Sequence, residues 1–173
     1  MKISILSFSS RPNGNCAQIS SYLKELHGEE AEVYRFSDFE IAGCGRCNHE
    51  CFAGQECPHI KDMEYTLQDA VTNSDLCYFV VPNYCGYPCS NFFIFNERCV
   101  CYTKGIKERS EAYKNSKKKF IIVSNSGQEN FRKLMGYHCN GEPDMLYLES
   151  RKYGSPLMAN DDAKAEVKAF AEK

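Results

Sequence analysis

The stretch Ile3-Ser-Ile-Leu-Ser-Phe-Ser-Ser-Arg-Pro-Asn-Gly-Asn-Cys16 predicts a buried strand, a polar loop and the start of a helix, in that order. Two later runs, Cys77-Tyr-Phe-Val-Val81 and Phe120-Ile-Ile-Val123, are apolar in the same way as the first strand. Strands that are apolar on both faces are typical of a parallel sheet, because crossover helices cover both of its faces. We therefore predict an α/β fold whose central strands contain these three runs.

Five parallel strands are predicted, at residues 2–7, 32–36, 75–81, 120–124 and 145–149. Apolar side chains at helical spacing fill the gaps between the strands, for example Ile19, Leu23 and Leu26 after the first strand. A chain of 173 residues has the size of one ordinary domain. We expect a single domain over residues 1–173, built as a doubly wound sheet with helices on both faces.

Composition limits where the protein works and what it binds. The net charge of −2 gives no electrostatic reason to expect nucleic acid. The chain carries eleven cysteines, but its size needs no disulfides and its start does not read as a signal peptide, so we expect reduced thiols in the cytoplasm. The apolar segment at the N-terminus is too short for a signal peptide and no apolar run approaches membrane-spanning length, so we expect no membrane partner. The basic run Lys117-Lys-Lys119 precedes a strand, and we interpret it as a solvent-exposed strand entry.

The loop after the first strand is predicted to bind a phosphate group. It is rich in hydroxyl and amide side chains and carries one guanidinium, and backbone N–H groups at the start of the next helix would face an anion with the helix dipole behind them. The absence of a Walker lysine and of a G-x-G-x-x-G pattern argues against nucleoside triphosphates and dinucleotides. The residues predicted to contact the phosphate are Ser9, Arg11, Asn13, Gly14, Asn15 and Cys16.

The loops after the third and fourth strands are predicted to hold a planar conjugated ligand beside that phosphate. Ligands of open parallel sheets bind at the carboxyl ends of the strands where the winding reverses, so these loops should lie next to the first one. One loop offers aromatic surface and a glycine for close approach of backbone to a ring, and the other offers amide groups. The predicted contacts are Pro82, Asn83, Tyr84, Cys85 and Gly86 in the first of these loops, and Ser124, Asn125, Ser126 and Gly127 in the second.

Taken in order along the chain, these motifs resemble those of the flavodoxin-like NADPH-dependent FMN reductase family. The first loop is similar to the family pattern Ser-x-Ser-Pro-Arg-x-x-Gly-Asn-Thr, with Cys16 in place of the threonine. The third strand leads into a Pro-x-Tyr-x-Gly segment, and Glu97-Arg98 follows where the family has Asp-Arg. Within the family the chain resembles the iron–sulfur flavoprotein branch, because six further positions fall in register, namely Ile41, Cys44, Cys47, Cys57, Asp62 and Met63.

The resemblance implies a flavodoxin-like fold with strand order 2-1-3-4-5 and a bound FMN that carries the chemistry, with no catalytic side chain. It also implies NAD(P)H or a ferredoxin-like protein as electron donor, and a small molecule or a protein as acceptor. Phe92, Phe93 and Phe95 cannot all face one small core. With the family resemblance, this excess of aromatic surface predicts a homodimer or a higher homo-oligomer.

The segment 38–61, which we call the cysteine loop, contains a candidate metal site. Its thiols lie two to five residues apart, a spacing at which a short loop can turn them toward one centre. The resemblance implies a 4Fe-4S cluster, whereas His49 and His59 in the same segment would suit zinc, and unmetallated thiols are the third alternative. The candidate ligands are Cys44, Cys47, Cys51 and Cys57.

The leading functional hypothesis is an FMN-dependent oxidoreductase that passes electrons from NAD(P)H or a ferredoxin-like donor to an acceptor. The alternative is a non-catalytic FMN- or zinc-binding module that senses redox state or assists a partner. Tyr84 and Gly86 favour the first hypothesis, because a structural zinc domain would not need them at the carboxyl edge of a sheet.

Overall fold

A parallel sheet organises the chain, which a computed structural model describes over residues 1–45, 47–104 and 106–173. Five strands pair in parallel in the order β2-β1-β3-β5-β6, and the short β4 pairs antiparallel with the end of β3. The predicted fold class and the order of the five parallel strands are confirmed. The strands are β1 (Ile3–Ser7), β2 (Ala31–Arg35), β3 (Leu76–Tyr84), β4 (Tyr87–Pro88), β5 (Lys118–Val123) and β6 (Asp144–Leu148).

Helices cover both faces of this sheet. They are α1 (Asn15–His27), α2 (Glu64–Thr72), α3 (Ser90–Thr103), α4 (Lys107–Asn115), α5 (Gln128–Gly136), α6 (Ser150–Tyr153) and α7 (Asp161–Ala171). Short 3₁₀ turns occupy Gly28–Glu30, Glu50–Ala53 and Leu157–Ala159. Within the described ranges, every helix is too short or too polar to cross a lipid bilayer.

The side chains of β3 alternate between two hydrophobic cores. Tyr78 and Val80 face one core, to which α1 and α7 contribute, whereas Phe79 and Val81 face the other, to which α2, α3 and α5 contribute. Successive residues of a strand point to opposite faces, so a sheet covered on both faces needs apolar residues at every position. This is why the central strands are continuous apolar runs.

The strand ends differ from the predicted ones by up to three residues. The largest difference is in β3, which continues through Tyr84 because Asn83 and Tyr84 pair with Pro88 and Tyr87 of β4 in a small hairpin. A strand of two residues has no periodicity to detect in a sequence, so β4 was not predicted.

Three neighbouring phenylalanines of α3 divide between core and surface. Phe92 and Phe95 are buried in the second core, whereas Phe93 is 40% exposed. The prediction that the three cannot share one core is therefore confirmed, and the homo-oligomer stays a prediction.

The prediction that Lys117-Lys-Lys119 is a solvent-exposed strand entry is wrong for two of its three residues. Lys118 is 5% exposed and Lys119 is 1% exposed, and both belong to β5. The ammonium of Lys119 donates to the carbonyl of Phe170 at 2.6 Å, and that of Lys118 donates to the carbonyl of Ser116 at 3.1 Å. Both ammonium groups thus donate to carbonyl groups at the C-terminal ends of helices, Lys119 at α7 and Lys118 at α4. Tertiary packing selects these partners, and the lysine run in the sequence does not indicate them.

Burial of Lys118 predicts a stability that depends on pH. Desolvation lowers the pKa of Lys118 to about 8, from 10.5 in the unfolded chain. At pH values between these two pKa values the folded state binds fewer protons than the unfolded state, so the free energy of unfolding increases as the pH rises. The variant Lys118→Met lacks this titrating group. The unfolding free energy of the wild type, measured relative to that of this variant, should therefore rise by roughly 2–3 kcal/mol between pH 7.5 and pH 10.5. Urea denaturation under reducing conditions measures this rise.

The exposed neighbour Lys117 is the matched control for that experiment. Replacing Lys117 by Met should leave a difference from the wild type that is flat over the same pH range, because the Lys117 side chain is exposed to water in the folded state as it is in the unfolded state. An equally flat difference for Lys118→Met would contradict the predicted pKa shift.

Candidate functional site

A cleft of about 320 Å³ opens at the carboxyl ends of β1, β3 and β5. It brings together most of the residues predicted to bind a ligand, although their loops are far apart in sequence. The loop after β1 and the start of α1 contribute Ser9, Arg11, Gly14, Asn15 and Cys16. The end of β3 and the residue after it contribute Pro82, Asn83, Tyr84 and Cys85, and the loop after β5 contributes Ser124, Asn125 and Ser126.

One end of the cleft is built around the start of α1. The helix begins at Asn15 with no acidic residue in its first turn, so its first backbone N–H groups are available to an anion. The N–H of Arg11 donates to Ser9 Oγ at 3.1 Å, and the N–H of Gly14 donates to the carbonyl of Arg11 at 3.3 Å. These bonds fold the loop tightly: a Cβ added at Gly14 would lie 3.1 Å from Arg11 Cβ.

The cleft has a positive charge balance. Arg11 and Arg151 line it, and no carboxylate does among the residues that the structure describes. Arg151 was not predicted, because only the loops after the first, third and fourth parallel strands were considered. Arg151 follows the last parallel strand, β6, and this position could have predicted that it lies at the same edge of the sheet as the cleft. Two guanidinium groups beside a helix N-terminus suit a phosphate or a carboxylate.

Hydrogen bonds connect the loop after β5 to the start of α6. Asn125 Nδ2 donates to Ser150 Oγ at 3.0 Å, and Asn125 Oδ1 accepts the N–H of Arg151 at 3.0 Å. Asn125 therefore places the Arg151 side of the cleft relative to the rest. Ser150 also lines the cleft and was likewise missed by the sequence predictions.

The other end of the cleft contains an unsatisfied amide oxygen. Asn83 Nδ2 donates to Ser124 Oγ at 2.6 Å and to the carbonyl of Ser126 at 2.9 Å, which fixes the side chain. Asn83 Oδ1 is buried and has no hydrogen-bond partner in the part of the chain that the structure describes. A buried acceptor without a donor costs about 1–3 kcal/mol, so this atom marks a position for a donor group of a ligand. Tyr84, which is 46% exposed, also lines the cleft.

Gly86 and Gly127 are not among the residues that line the cleft, but their contact sets the distance between two loops that carry lining residues. Both have left-handed backbone, with φ of +85° and +72°. A Cβ added at Gly127 would lie 2.5 Å from Gly86 Cα, so only glycine permits this approach. Asn130 Nδ2 donates to the carbonyl of Gly86 at 3.0 Å and holds the contact. Both glycines were predicted to contact the ligand. In the structure they hold the two loops close together instead of lining the cleft.

Two other predicted residues differ in how they relate to the cleft. Asn13 is exposed and lines a separate groove beside α1 with Gln18 and Arg35, so the structure does not bring it to the cleft. Cys16 lies in the cleft wall but is itself buried, and desolvation raises the pKa of its thiol. Cys16 is therefore a neutral thiol rather than a charged ligand contact.

Arg98 of α3 anchors the cysteine loop through two hydrogen bonds to the loop and a buried ion pair with Asp62, the residue directly after it. The guanidinium of Arg98, which is 0% exposed, meets the Asp62 carboxylate at 2.8 Å and 3.3 Å. It also donates to the carbonyls of Ala42 at 2.6 Å and His59 at 3.3 Å. Burial alone would raise the pKa of Asp62, but the hydrogen bonds from Arg98 and from backbone N–H groups hold that pKa below its ordinary value. We call these four residues the Arg98 clamp.

The four candidate ligand cysteines differ in environment. Cys44 is exposed, Cys47 and Cys51 are half-buried, and Cys57 is buried with its sulfur 3.9 Å from Arg98 Nη2. Arg46 of this loop lies outside the described residues. Among the described residues, no three His, Cys, Asp or Glu side chains form a group that could hold a metal ion. The observed arrangement does not fit a metal centre, and the 4Fe-4S cluster and the zinc site stay predictions from the sequence.

Comparison with known proteins supports the fold. No protein-family model matches the chain, and no curated protein matches it. Three solved structures are similar in fold: Trp repressor binding protein from Bacillus subtilis (TM-score 0.67, 12% identity, 98% of this chain and 97% of that one), RosB with bound 8-demethyl-8-formylriboflavin-5'-phosphate (0.67, 14%, 99% and 79%), and FerB, a flavoenzyme NAD(P)H:(acceptor) oxidoreductase from Paracoccus denitrificans (0.62, 13%, 99% and 95%). At these identities the likeness establishes a shared fold.

Proposed function

We propose that this protein is an FMN-dependent oxidoreductase. The observation that carries the proposal is one cleft at the carboxyl edge of the sheet with an anion-binding end and, beside it, an aromatic and amide-lined end. An FMN molecule has the same two parts, a phosphate and a planar ring with polar edges. Among proteins of this fold, RosB binds a riboflavin-5'-phosphate derivative and FerB is a flavoenzyme, which supports the same ligand class here.

The residues of the cleft fit each part of FMN. Ser9, Arg11, Arg151 and the first N–H groups of α1 would hold the phosphate. Asn83 Oδ1 would accept a hydrogen bond from the ring edge, which satisfies an atom that otherwise has no donor among the described residues. Asn125 and Ser126 add polar groups at that end. When bound, FMN supplies the ability to accept a hydride or single electrons and pass them on.

The donor and the acceptor reach the cleft from its open side. Tyr84 and Tyr87 of the hairpin are both exposed, so an incoming planar molecule finds aromatic surface beside the ring position. We propose NAD(P)H as the donor, in line with the activity of FerB, and a small molecule as the acceptor. A ferredoxin-like donor is the second candidate from the sequence. Protein side chains in this scheme bind and orient the reactants, and none is assigned a catalytic proton transfer.

The phosphate end of the cleft is tested by removing its two guanidinium groups one at a time. Arg11→Ala and Arg151→Ala should each weaken FMN binding by roughly tenfold, because each removes a charge-assisted contact from an exposed site. Quenching of flavin fluorescence during titration of flavin-free protein measures the affinity. Arg132→Ala, at an exposed position outside this cleft, is the matched control and should bind FMN as the wild type does.

Riboflavin separates a phosphate contact from general damage to the cleft. It has the ring of FMN but no phosphate, so both arginine variants should bind riboflavin with wild-type affinity. An equal loss for FMN and riboflavin would place the arginines elsewhere in the site, and unchanged FMN affinity would refute the phosphate assignment.

Turnover tests the enzymatic part of the proposal. FMN-loaded protein should oxidise NADH or NADPH when a quinone or an azo dye is present as acceptor, which is followed by the loss of reduced-nicotinamide absorbance. FMN binding without such turnover, and without reduction by a reduced ferredoxin, would favour the non-catalytic module instead.

A further inference from the structure

One face of α3 holds the cysteine loop through several contacts. Glu97 Oε1 accepts the N–H of Cys44 at 2.8 Å, and the Lys104 ammonium lies 2.9 Å from the centre of the Phe52 ring. Arg98 makes the clamp described above. Glu97 and Cys101 are four residues apart on α3 and share one face of the helix, and Lys104 directly follows the helix. Cys101 therefore lies between two residues that contact the loop.

Cys101 lies directly opposite Cys51 of the loop. The two sulfur atoms are 4.0 Å apart, and both cysteines are free and half-buried. Cys51 belongs to the turn Glu50–Ala53. The next residue of that turn, Phe52, contacts the ammonium of Lys104 through its ring. A disulfide needs a sulfur–sulfur distance of about 2.05 Å, so the two sulfur atoms must approach by about 2 Å for the bond to form.

We propose that Cys51 and Cys101 form a redox modification site, in which oxidation by a hydroperoxide joins them in a reversible disulfide. This bond would fasten the cysteine loop covalently to α3. It uses Cys101, which was not among the candidate metal ligands. The site is independent of FMN binding.

The oxidation proceeds in two balanced steps. Cys51 lies in a turn at the surface, where its neighbour Phe52 is 65% exposed. Its sulfur attacks the peroxide and the O–O bond breaks. Cys51 becomes a sulfenic acid, and an alcohol or water leaves. The sulfur of Cys101 then bonds to the Cys51 sulfur, the S–O bond breaks and water leaves. In total the two thiols lose two electrons and two protons. The peroxide accepts the two electrons and the two protons. A dithiol reductant reverses the reaction by exchange.

Peptide mapping of the full chain tests the site directly. Purified protein is treated with about one equivalent of hydrogen peroxide, free thiols are alkylated, and the digest is analysed by mass spectrometry without reduction. We expect a peptide pair joined through Cys51 and Cys101 that disappears after dithiothreitol. Because the bond closes a loop of 50 residues, the oxidised protein should also unfold about 5–10 °C higher than the reduced protein.

Three single variants distinguish the pair from its neighbours. Cys101→Ser should abolish both the linked peptide and the rise in melting temperature. Cys99→Ser, two residues away on α3, and Cys47→Ser, in the same loop, should retain both. Mapping of the wild type remains decisive even if a variant folds poorly.

Three outcomes would overturn the proposal. The first is a Cys51 disulfide to Cys44, Cys47 or Cys57. The second is Cys101 that remains fully alkylatable after Cys51 is oxidised. The third is iron or zinc bound in stoichiometric amount in the purified protein, with Cys51 protected from oxidation until a chelator removes the metal.

Discussion

Replacing Arg98 by methionine should lower the free energy of unfolding by about 3–5 kcal/mol. Methionine fills much of the same volume, but it leaves the largely buried Asp62 carboxylate without its counter-charge. The carbonyls of Ala42 and His59 also lose a charged donor. Removing one partner of a buried ion pair costs more than the pair contributes, because the remaining charge stays desolvated. Urea denaturation at neutral pH measures the loss.

A surface arginine provides the control for this effect. Arg132 forms an exposed ion pair with Glu142 at 3.6 Å, so Arg132→Met should change the unfolding free energy by no more than about 0.5 kcal/mol. Adding Asp62→Asn to Arg98→Met should recover part of the loss, because the remaining side chain is then neutral. If Arg98→Met is as mild as Arg132→Met, the clamp does not hold the loop as the structure indicates.

Replacing Gly127 by alanine should disrupt the cleft and lower the free energy of unfolding by about 2–4 kcal/mol. The added Cβ would lie 2.5 Å from Gly86 Cα and 2.7 Å from its carbonyl oxygen, distances at which backbone must move. Alanine would also have to adopt the left-handed φ of +72°. Since both loops carry cleft residues, their separation should weaken FMN binding at least tenfold under the proposed function.

Gly136 is the matched control for Gly127. It ends α5, the helix that Gly127 precedes, and a Cβ added there would meet no atom within 4 Å among the described residues. Gly136→Ala should therefore be neutral or stabilise the protein slightly, because alanine is the better helix former. Denaturation and FMN titration of both variants give the comparison. Equal behaviour of the two variants would contradict the close contact between the loops.

The cysteine loop and the cleft are positioned by different kinds of interaction. Backbone turns and glycines set the cleft, whereas a buried charge pair and side chains of α3 set the loop. Arg98→Met should therefore act mainly on the loop and on overall stability, and Gly127→Ala on both stability and the flavin site. Hydrogen exchange of the loop amides would follow the first effect separately from flavin affinity.

Most of the cleft could be predicted because its residues follow strands directly. Parallel strands end at one edge of the sheet, so Ser9, Asn83 and Ser124 had to meet once the strand order was correct. Arg151 obeys the same rule but was missed, because the loop after the last strand has no motif of its own. The opposite error occurred at Asn13, which is next to the cleft in sequence but points into another groove.

The sequence by itself determined the fold class and the general place of the cleft, and its resemblance to a known family implied the strand order. Continuous apolar runs, helical spacing and the order of strands and loops are local properties, and a parallel sheet brings the loops that follow its strands to one edge. Only the tertiary structure decided which distant side chains became partners: Lys119 with the end of α7, Arg98 with Asp62, and Cys101 with Cys51. These pairs are 36 to 51 residues apart, and no local pattern specifies such contacts, because they depend on how helices and loops pack on the finished sheet.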